Sequence, residues 1–427
     1  MEQKPEINAL DRRKSIERLY TERQKRLQDA ADLKRPDRIP IQIMMSYMLA
    51  EIGGITNQEM LANPAKAQEL LEKAALEYQP DSISGTLPSD PRPFVMLGDR
   101  MTRWPGHGLG PNGQYQFVEH EFMKAEDYDD FMDDPSDWAI RVYLPRAFSG
   151  LEGFSLLPPL GMSLFGCYNL LNAGTLNKPS LLASFEAYYK AIKLVAEGDE
   201  LAAKNMQRMT ALGFPPGVFG GTNVEAPFDF MSDTLRGMRG IMLDILQRPE
   251  KLLAAEEKVS RIQLKHAIGV SRTSGMKSVM MPLHRGSDGF MSLSQFERFY
   301  WPQLKNVILT LIDHDIRVSI FYEGVWDQRL KYLAELPRGK TIGMFQASDI
   351  FKVKEVLGDT MCIIGGMPNS LLRGGTVAEV WEHTRKVCEV AGKGGGFIMS
   401  TGVAEMAGSK PELVKAWVDA TREFGVY

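Results

Sequence analysis

A polar cluster follows one predicted strand and has the residue types of an acid–base site. The run Ser278–Leu283 is followed at once by His284 and Arg285, and Asp288 comes three residues later. A histidine in such a loop can donate or accept a proton near neutral pH. The alternative is that His284 only caps a nearby helix.

A second predicted strand, Arg317–Tyr322, ends next to a carboxylate. Glu323 follows it directly, and we expect Glu323 to act as a general acid whose pKa is raised by an apolar pocket. The alternative role for Glu323 is a structural hydrogen bond. Tyr322 is a further catalytic candidate, although regular strand alternation would turn it to the opposite side from Glu323.

Candidate substrate contacts occupy the same kind of position after other predicted strands. Tyr47 and Trp326 are expected to be aromatic walls for a planar substrate, although such walls and core residues share one sequence signature. The polar candidates are Asn223, Arg285, Asp288, Gln346 and Asn369.

Short apolar runs that alternate with helical segments must position these residues. The runs lie at 39–45, 82–87, 217–221, 278–283, 317–322, 341–345, 362–366 and 396–400. This alternation predicts βαβ units and a parallel sheet, hence an α/β fold. A closed (β/α)₈ TIM barrel is the leading architecture and a doubly wound open sheet is the alternative. In a barrel, chemistry takes place at the carboxyl ends of the strands, where the candidates lie.

The chain is predicted to form one barrel domain with two additions. Residues 1–38 read as an N-terminal helical extension, and residues 39–427 as the single barrel domain. After the second strand, the stretch at about 88–160 is dense in Pro, Gly, Asp and aromatic residues, which predicts an ordered insertion rather than a linker.

Composition excludes several classes of function. The chain of 427 residues is 44% hydrophobic and 24% charged, with a net charge of -4, so neither nucleic acid nor a membrane surface is an expected partner. No run of 18 apolar residues predicts a membrane span. The polar N-terminus and three scattered cysteines, Cys167, Cys362 and Cys388, favour a reducing, cytoplasmic location.

Known cofactor motifs are missing or misplaced. The letters of a dinucleotide-binding loop occur at 108–113, but Pro111 interrupts them within the Pro-rich stretch. A corrinoid-binding loop requires D-x-H-x-x-G, and His266 has Gly269 at the right distance but Leu264 in place of the aspartate. We therefore expect no tightly bound cofactor.

Several stretches resemble the uroporphyrinogen decarboxylase superfamily in their order and spacing. They are Ala226-Pro227-Phe228-Asp229, Leu235-Arg236-Gly237, Phe290-Met291-Ser292, Phe299-Tyr300-Trp301-Pro302, Gly365-Gly366-Met367-Pro368 and Gly394-Gly395-Gly396-Phe397-Ile398. The resemblance implies a (β/α)₈ barrel. It also implies either a porphyrin decarboxylase or a methyltransferase that works with a corrinoid protein.

Two departures from the family pattern separate these branches. The decarboxylases follow their first strand with an arginine-rich segment that holds substrate carboxylates, whereas residues 46–50 contain no arginine. The thiol-using methyltransferases bind zinc through H-x-C-G and a late cysteine. Here the aligned positions are Phe321, Glu323 and Val403, so the resemblance implies no such zinc site.

The remaining branch implies a methyltransferase that moves a methyl group between a small methylated compound, such as an aryl methyl ether, and a separate corrinoid (cobalamin) protein. Family analogy alone suggests a homodimer. Two alternatives stay open. One is a lyase or decarboxylase of a small or porphyrin-like acid on the same barrel, and the other is a non-catalytic binding protein.

Overall fold

The strands of the chain are short, and most of them are buried. A computed structural model describes residues 9–85, 90–165, 176–403 and 405–427. The strands in these residues are β1 (Gln42–Met44), β2 (Ser82–Ser84), β3 (Thr102–Pro105), β4 (Gly108–Leu109), β5 (Gln116–Phe117), β6 (Thr222–Asn223), β7 (Ser278–Leu283), β8 (Arg317–Tyr322), β9 (Thr341–Phe345), β10 (Cys362–Gly366) and β11 (Phe397–Ser400). Cys167 and the predicted end of the second strand at 86–87 lie outside the described residues.

Helices separate most of these strands. The α-helices in the described residues are α1 (Ala9–Ala31), α2 (Met48–Gly53), α3 (Asn57–Ala62), α4 (Pro64–Tyr78), α5 (Arg92–Leu97), α6 (Tyr128–Asp133), α7 (Pro135–Trp138), α8 (Leu144–Ala147), α9 (Pro179–Ala211), α10 (Pro227–Asp229), α11 (Gly237–Gln247), α12 (Pro249–Ser274), α13 (Leu293–Gln295), α14 (Trp301–Asp313), α15 (Leu330–Leu333), α16 (Ile350–Leu357), α17 (Asn369–Gly374), α18 (Val377–Val390) and α19 (Pro411–Phe424). Segments of 3₁₀ or π geometry, three to eight residues long, adjoin several of these helices or lie between them. None of the described helices is both long and apolar enough to cross a bilayer.

The contacts of the chain divide it into two units. Unit 1 contains residues 1–87, 203–226 and 263–427, and unit 2 contains residues 88–202 and 227–262. Every candidate site residue named above belongs to unit 1.

Unit 1 is built on parallel strands. Six of the described strands form one sheet in the order β11-β10-β9-β8-β7-β6, and β1 and β2 form a parallel pair. A parallel bridge between Ile41 and Met399 joins the β1 side of that pair to β11. Parallel strands with intervening helices confirm the predicted α/β fold class.

The predicted strand at 217–221 is wrong, because pairing begins only at Thr222. Gly220 and Gly221 have φ values of 149° and 134°, which side-chain-bearing residues rarely adopt. A Cβ on Gly221 would lie 2.2 Å from the backbone oxygen of Ser278. The glycines therefore lead into β6 and are not part of it.

A hydrophobic cluster fills unit 1 and includes the end of α1. Leu27, Ala30 and Ala31 of α1 pack with strand residues such as Met344 and Ile364. The partly buried side chain of Phe321 on β8 packs against the same cluster. One face of the parallel strands therefore forms a core that the first helix helps to cover.

Unit 2 has its own core and a small three-stranded sheet, β4-β3-β5. Its cluster contains Leu151, Phe154, Leu181 and Ala191 among other apolar residues. A buried ion pair joins Arg236 to Asp244, with Nε and Oδ2 2.5 Å apart, and the Tyr128 hydroxyl donates to the same carboxylate at 2.8 Å.

Candidate functional site

The ends of β7 and β8 bring His284 and Glu323 together. These strands are parallel neighbours whose register pairs Leu283 with Tyr322, so the next residue of each chain segment emerges beside the other. The His284 Nε2 and Glu323 Oε2 atoms are 3.4 Å apart. The two side chains are 35% and 49% exposed, so a small molecule can reach both of them.

Glu323 is therefore half exposed to solvent, and among the described residues no apolar pocket of the predicted kind encloses it. Its backbone N–H donates to the Leu283 oxygen at 3.1 Å, which continues the strand pairing by one residue. The Glu323 side chain follows this last hydrogen bond between the strands and therefore lies outside the core. A carboxylate next to an imidazole can hold the ring in one orientation and share its proton.

Gln346 directly follows β9, the next strand of the sheet, and contacts the loop that carries Glu323. The register pairs Tyr322 with Phe345, and the Gln346 backbone N–H donates to the Tyr322 oxygen at 3.1 Å. Its side-chain oxygen accepts a hydrogen bond from the backbone N–H of Gly324 at 2.6 Å. Gln346 thus fixes the loop that carries Glu323.

Tyr322 and Trp326, in contrast, are fully buried. Tyr322 stacks on Phe345 with ring centroids 4.4 Å apart, and Trp326 meets Tyr322 at 5.2 Å. Burial raises the pKa of Tyr322 above its ordinary value, and within the described part of the chain its hydroxyl has no hydrogen-bond partner. Solvent therefore reaches neither Tyr322, predicted to be catalytic, nor Trp326, predicted to be an aromatic wall. Strand alternation turns the Tyr322 side chain away from that of Glu323.

Asp288 and Arg285 organise the loop after β7. Asp288 pairs with the buried Arg329 at 3.0 Å and accepts the Gln328 backbone N–H at 3.0 Å. The Arg285 guanidinium lies 5.2 Å from the centroid of the Phe290 ring. These contacts join the β7 and β8 loops, and Asp288 is therefore largely occupied within the protein.

The remaining predicted contacts lie on other strands. Asn223 is exposed at the end of β6, where it pairs with Met280 of β7. Tyr47 is only 2% exposed. The Asn369 side-chain amide donates to the backbone oxygen of Glu405, and its own oxygen is buried without a partner among the described residues.

Glu405, in the loop after β11, contacts the predicted site residues Tyr47 and Asn369, and the sequence interpretation did not include it. Its carboxylate accepts the backbone N–H of Ala407, the Ser46 side chain and, at 3.5 Å, the backbone N–H of Tyr47. Burial nevertheless raises the pKa of Glu405 above its ordinary value of 4.5. The available signal was an acidic residue shortly after an apolar strand, but nothing in the spacing indicated its burial.

The side chains of the site do not form an evident metal centre. Among the residues that the structure describes, no three His, Cys, Asp or Glu side chains are close enough to share an ion. His284 and Glu323 supply two potential donors, one fewer than the protein ligands of a catalytic zinc site.

Comparisons with known proteins agree with this architecture. The family model described as Uroporphyrinogen decarboxylase (URO-D) matches residues 175–424. A solved structure, "methyltransferase from Methanosarcina mazei", is similar at a TM-score of 0.58 and 15% sequence identity, over 94% of this chain and 98% of that one. No curated protein matches the chain. Because the family model covers more than half of its residues, the chain belongs to the uroporphyrinogen decarboxylase family.

Proposed function

We propose that this protein is a methyltransferase that moves a methyl group between a small O-methylated compound, such as an aryl methyl ether, and a separate corrinoid protein. The observation that carries the proposal is the solvent-accessible pair of His284 and Glu323, 3.4 Å apart at adjacent strand ends. The family and the similarity in fold to a methyltransferase support the same class of enzyme.

We further propose that the parallel strands of unit 1 close into a (β/α)₈ barrel. The order β2-β1-β11-β10-β9-β8-β7-β6 is continuous once the bridge between Ile41 and Met399 is included. Closure requires β2 to lie beside β6. The carboxyl ends of all eight strands would then surround one substrate site, as in other barrel enzymes.

Removal of a methyl group from an ether requires a proton for the departing oxygen. As the carbon–oxygen bond breaks, the electron pair stays on oxygen, and a proton from the His284–Glu323 pair would neutralise it. The reduced corrinoid of the partner protein supplies the nucleophile that takes the methyl group. Gln346 holds the Glu323 loop through Gly324, so the acid stays oriented while the substrate is bound.

The segment after β1 argues against a porphyrin substrate. Tyr47, Met48, Leu49 and Ala50 are all at most 2% exposed, and the segment contains no guanidinium. A substrate with many carboxylates needs several cationic partners to replace its hydration. The segment after β1 therefore offers no group that could bind a substrate with many carboxylates.

The test combines the purified chain, a purified corrinoid protein in its reduced state and a panel of aryl methyl ethers. We expect methylation of the corrinoid, seen in its absorption spectrum, only when all three components are present. Glu323→Gln should lower kcat/KM by about 100-fold or more, as is typical when a general acid is lost. Glu355→Gln, at an exposed position of α16, is the matched control and should retain full activity.

Other results would identify one of the alternatives. Release of carbon dioxide from a small acid without corrinoid would indicate a decarboxylase. Ligand binding without turnover, unchanged by Glu323→Gln, would indicate a binding protein. Failure of every methyl donor with a competent corrinoid partner would overturn the proposal.

A further inference from the structure

A cavity of about 470 Å³ opens in unit 1 at the amino ends of β7, β8 and β9. We call it the amino-end cavity, and its lining includes Gln24, Leu27, Lys277, Asp315, Arg317 and Lys340. Cavities of this volume hold small organic molecules. The pair of His284 and Glu323 follows the opposite ends of β7 and β8, and a strand of six residues is about 20 Å long, so the cavity is separate from that pair.

Three cationic side chains converge on the amino-end cavity because they stand at the starts of adjacent strands. Lys277 precedes β7, Arg317 begins β8 and Lys340 precedes β9. The Arg317 backbone N–H donates to the Lys277 oxygen at 2.9 Å, and the Val318 N–H donates to the Lys340 oxygen at 3.4 Å. The two lysines therefore flank β8, with their backbones about 10 Å apart, which is twice the spacing between neighbouring strands. Two long lysine side chains can reach one anion across that span.

The protein balances only one of these three charges. Arg317 pairs with Asp32 at 2.6 Å, and the Gln28 amide donates to the same carboxylate at 2.8 Å. Within the part of the chain that the structure describes, neither Lys277 nor Lys340 forms an ion pair or a side-chain hydrogen bond. Like charges at one cavity repel each other, and a bound anion replaces that repulsion with attraction.

The rest of the lining indicates what accompanies the anionic group. Asp315 is a carboxylate in the same lining, and it repels a bare anion but accepts hydrogen bonds from hydroxyl groups. The Gln24 amide can both donate and accept. Leu27 and Ile316 are buried and give the cavity an apolar wall. Phosphate on the lysines and hydroxyls on Asp315 together describe a phosphate ester of a hydroxyl-bearing compound.

We propose that the amino-end cavity binds a small phosphate ester of a polyhydroxylated compound, such as a sugar phosphate or a nucleotide. Lys277 and Lys340 bind the phosphate, Asp315 binds hydroxyl groups, and Arg317 keeps its ion pair with Asp32. The proposal does not depend on the proposed reaction, because it concerns the opposite ends of the strands. Its test therefore measures binding and not turnover.

Isothermal titration calorimetry on the full chain at low ionic strength tests the proposal. The probes are a hexose phosphate and adenosine monophosphate, compared with the free hexose, adenosine and inorganic phosphate. We expect at least one ester to bind, more weakly as salt is added, and the uncharged compounds not to bind. Lys277→Gln/Lys340→Gln should raise the Kd of that ester by about tenfold or more, because two charged hydrogen-bond donors are lost.

A matched control separates the cavity from total charge. Lys265→Gln/Lys352→Gln removes the same charge at two exposed positions outside the cavity and should leave the Kd unchanged. Failure of both esters to bind, binding of the free hexose or adenosine as tight as that of its ester, or a Kd that Lys277→Gln/Lys340→Gln does not change overturns the proposal.

Asp315→Asn tests the hydroxyl-binding part of the cavity. Asparagine tolerates the φ of 56° at this position, so the change removes charge without backbone strain. Inorganic phosphate should then bind more tightly, and the preference for the ester over inorganic phosphate should fall severalfold. An unchanged preference contradicts the role of Asp315, and inorganic phosphate that binds wild type as tightly as the esters do shows a simple ion site and overturns the proposed ligand class.

Discussion

The buried hydroxyl of Tyr322 indicates that this residue has a packing role and not a catalytic one. The residue was a catalytic candidate because it adjoins Glu323, but its side chain is enclosed by Phe345 and Trp326. An unpartnered buried hydroxyl loses its hydration on folding and gains nothing in return. The ring, and not the hydroxyl, therefore contributes to stability.

Tyr322→Phe should leave methyl transfer unchanged and keep or slightly raise stability. Removal of a buried hydroxyl without a partner, among the residues described, should change the free energy of unfolding by about 0 to 1 kcal/mol in the stabilising direction. Urea unfolding and the methylation assay measure the two effects. A tenfold fall in kcat would show instead that Tyr322 takes part in catalysis.

Glu405 should make stability depend on pH in an unusual direction. Because burial raises its pKa in the folded chain, the folded state holds its proton more tightly than the unfolded state does. Its contribution to stability is therefore largest below about pH 4.5 and is lost as the pH rises through the folded-state pKa. Glu405→Gln does not titrate, so its stability relative to wild type should increase from pH 4 to pH 7.

An opposite control exists on α18. The backbone N–H and hydroxyl of Thr376 hold the pKa of Glu379 below its ordinary value. Glu379→Gln should therefore lose stability relative to wild type over the same pH interval. Urea unfolding of the three proteins at several pH values measures both trends, and parallel trends for the two variants would refute the role assigned to Glu405.

At the residue scale, the sequence predicts contacts between residues that follow regularly paired strands, and not contacts between irregular loops. His284 and Glu323 each follow a strand that could be recognised from its apolar run, and adjacent parallel strands brought them together. Glu405 lies in an irregular loop, and its partners Ser46 and Tyr47 follow a strand far away in sequence. No periodicity connects two such loops, so their contact could not be predicted.

At the scale of elements, most limits of strands and helices follow from local sequence patterns, and the exceptions lie at glycine residues. The strands at 278–283, 317–322, 341–345 and 362–366 were predicted with their observed limits. The helical segment after β10 consists of two helices, α17 and α18. The chain breaks between them at Gly375, and Thr376 caps the second helix together with Glu379.

The attachment of α1 to the first strands depends on one buried carboxylate. Asp81 is fully buried and binds Arg26 of α1 at 2.5 Å, Arg38 at 2.8 Å and the backbone N–H of Ile41 at 2.8 Å. Two guanidiniums thus share one acceptor next to β1 and β2. Charge patterning in the sequence could not identify this network, because its members lie on three separate segments.

Asp81→Asn should destabilise unit 1 by about 3 kcal/mol, because it leaves the largely buried Arg38 without the carboxylate it pairs with, whereas Arg26 keeps its ion pair with Asp37. Urea denaturation followed by tryptophan fluorescence is the measurement. Glu382→Gln is the matched control, since it removes an exposed ion pair with Arg385 on α18. That control should cost less than about 1 kcal/mol, and equal losses in the two variants would contradict the assignment.

At the scale of the whole molecule, residues distant in sequence complete unit 1. The Ile39 backbone N–H donates to the Gly425 oxygen at 2.8 Å, and the Tyr427 N–H donates to the Asp37 oxygen at 3.2 Å. The Tyr427 hydroxyl donates to the Gly392 oxygen at 2.8 Å. Residues 425–427 thereby fix the segment that enters β1.

Removal of residues 425–427 should lower the free energy of unfolding by about 4 kcal/mol, because four hydrogen bonds worth about 1 kcal/mol each are lost, among them the one from the Gly425 N–H to the Thr421 oxygen. Tyr427→Phe removes only the hydroxyl bond and should cost about a quarter of that. Urea unfolding compares the three chains. A truncated chain as stable as wild type would show that the entry to β1 is held by other contacts.

The bridge between Ile41 and Met399 also has a consequence during synthesis. At ribosomal rates of about 5–20 residues per second, β1 waits roughly 20 to 70 s for its neighbour on β11 to be translated. During that interval Ile41 and the apolar residues of β1, Ile43 and Met44, have no sheet to join on that side. We therefore expect nascent chains of this protein to depend on chaperones that hold β1 until translation reaches β11.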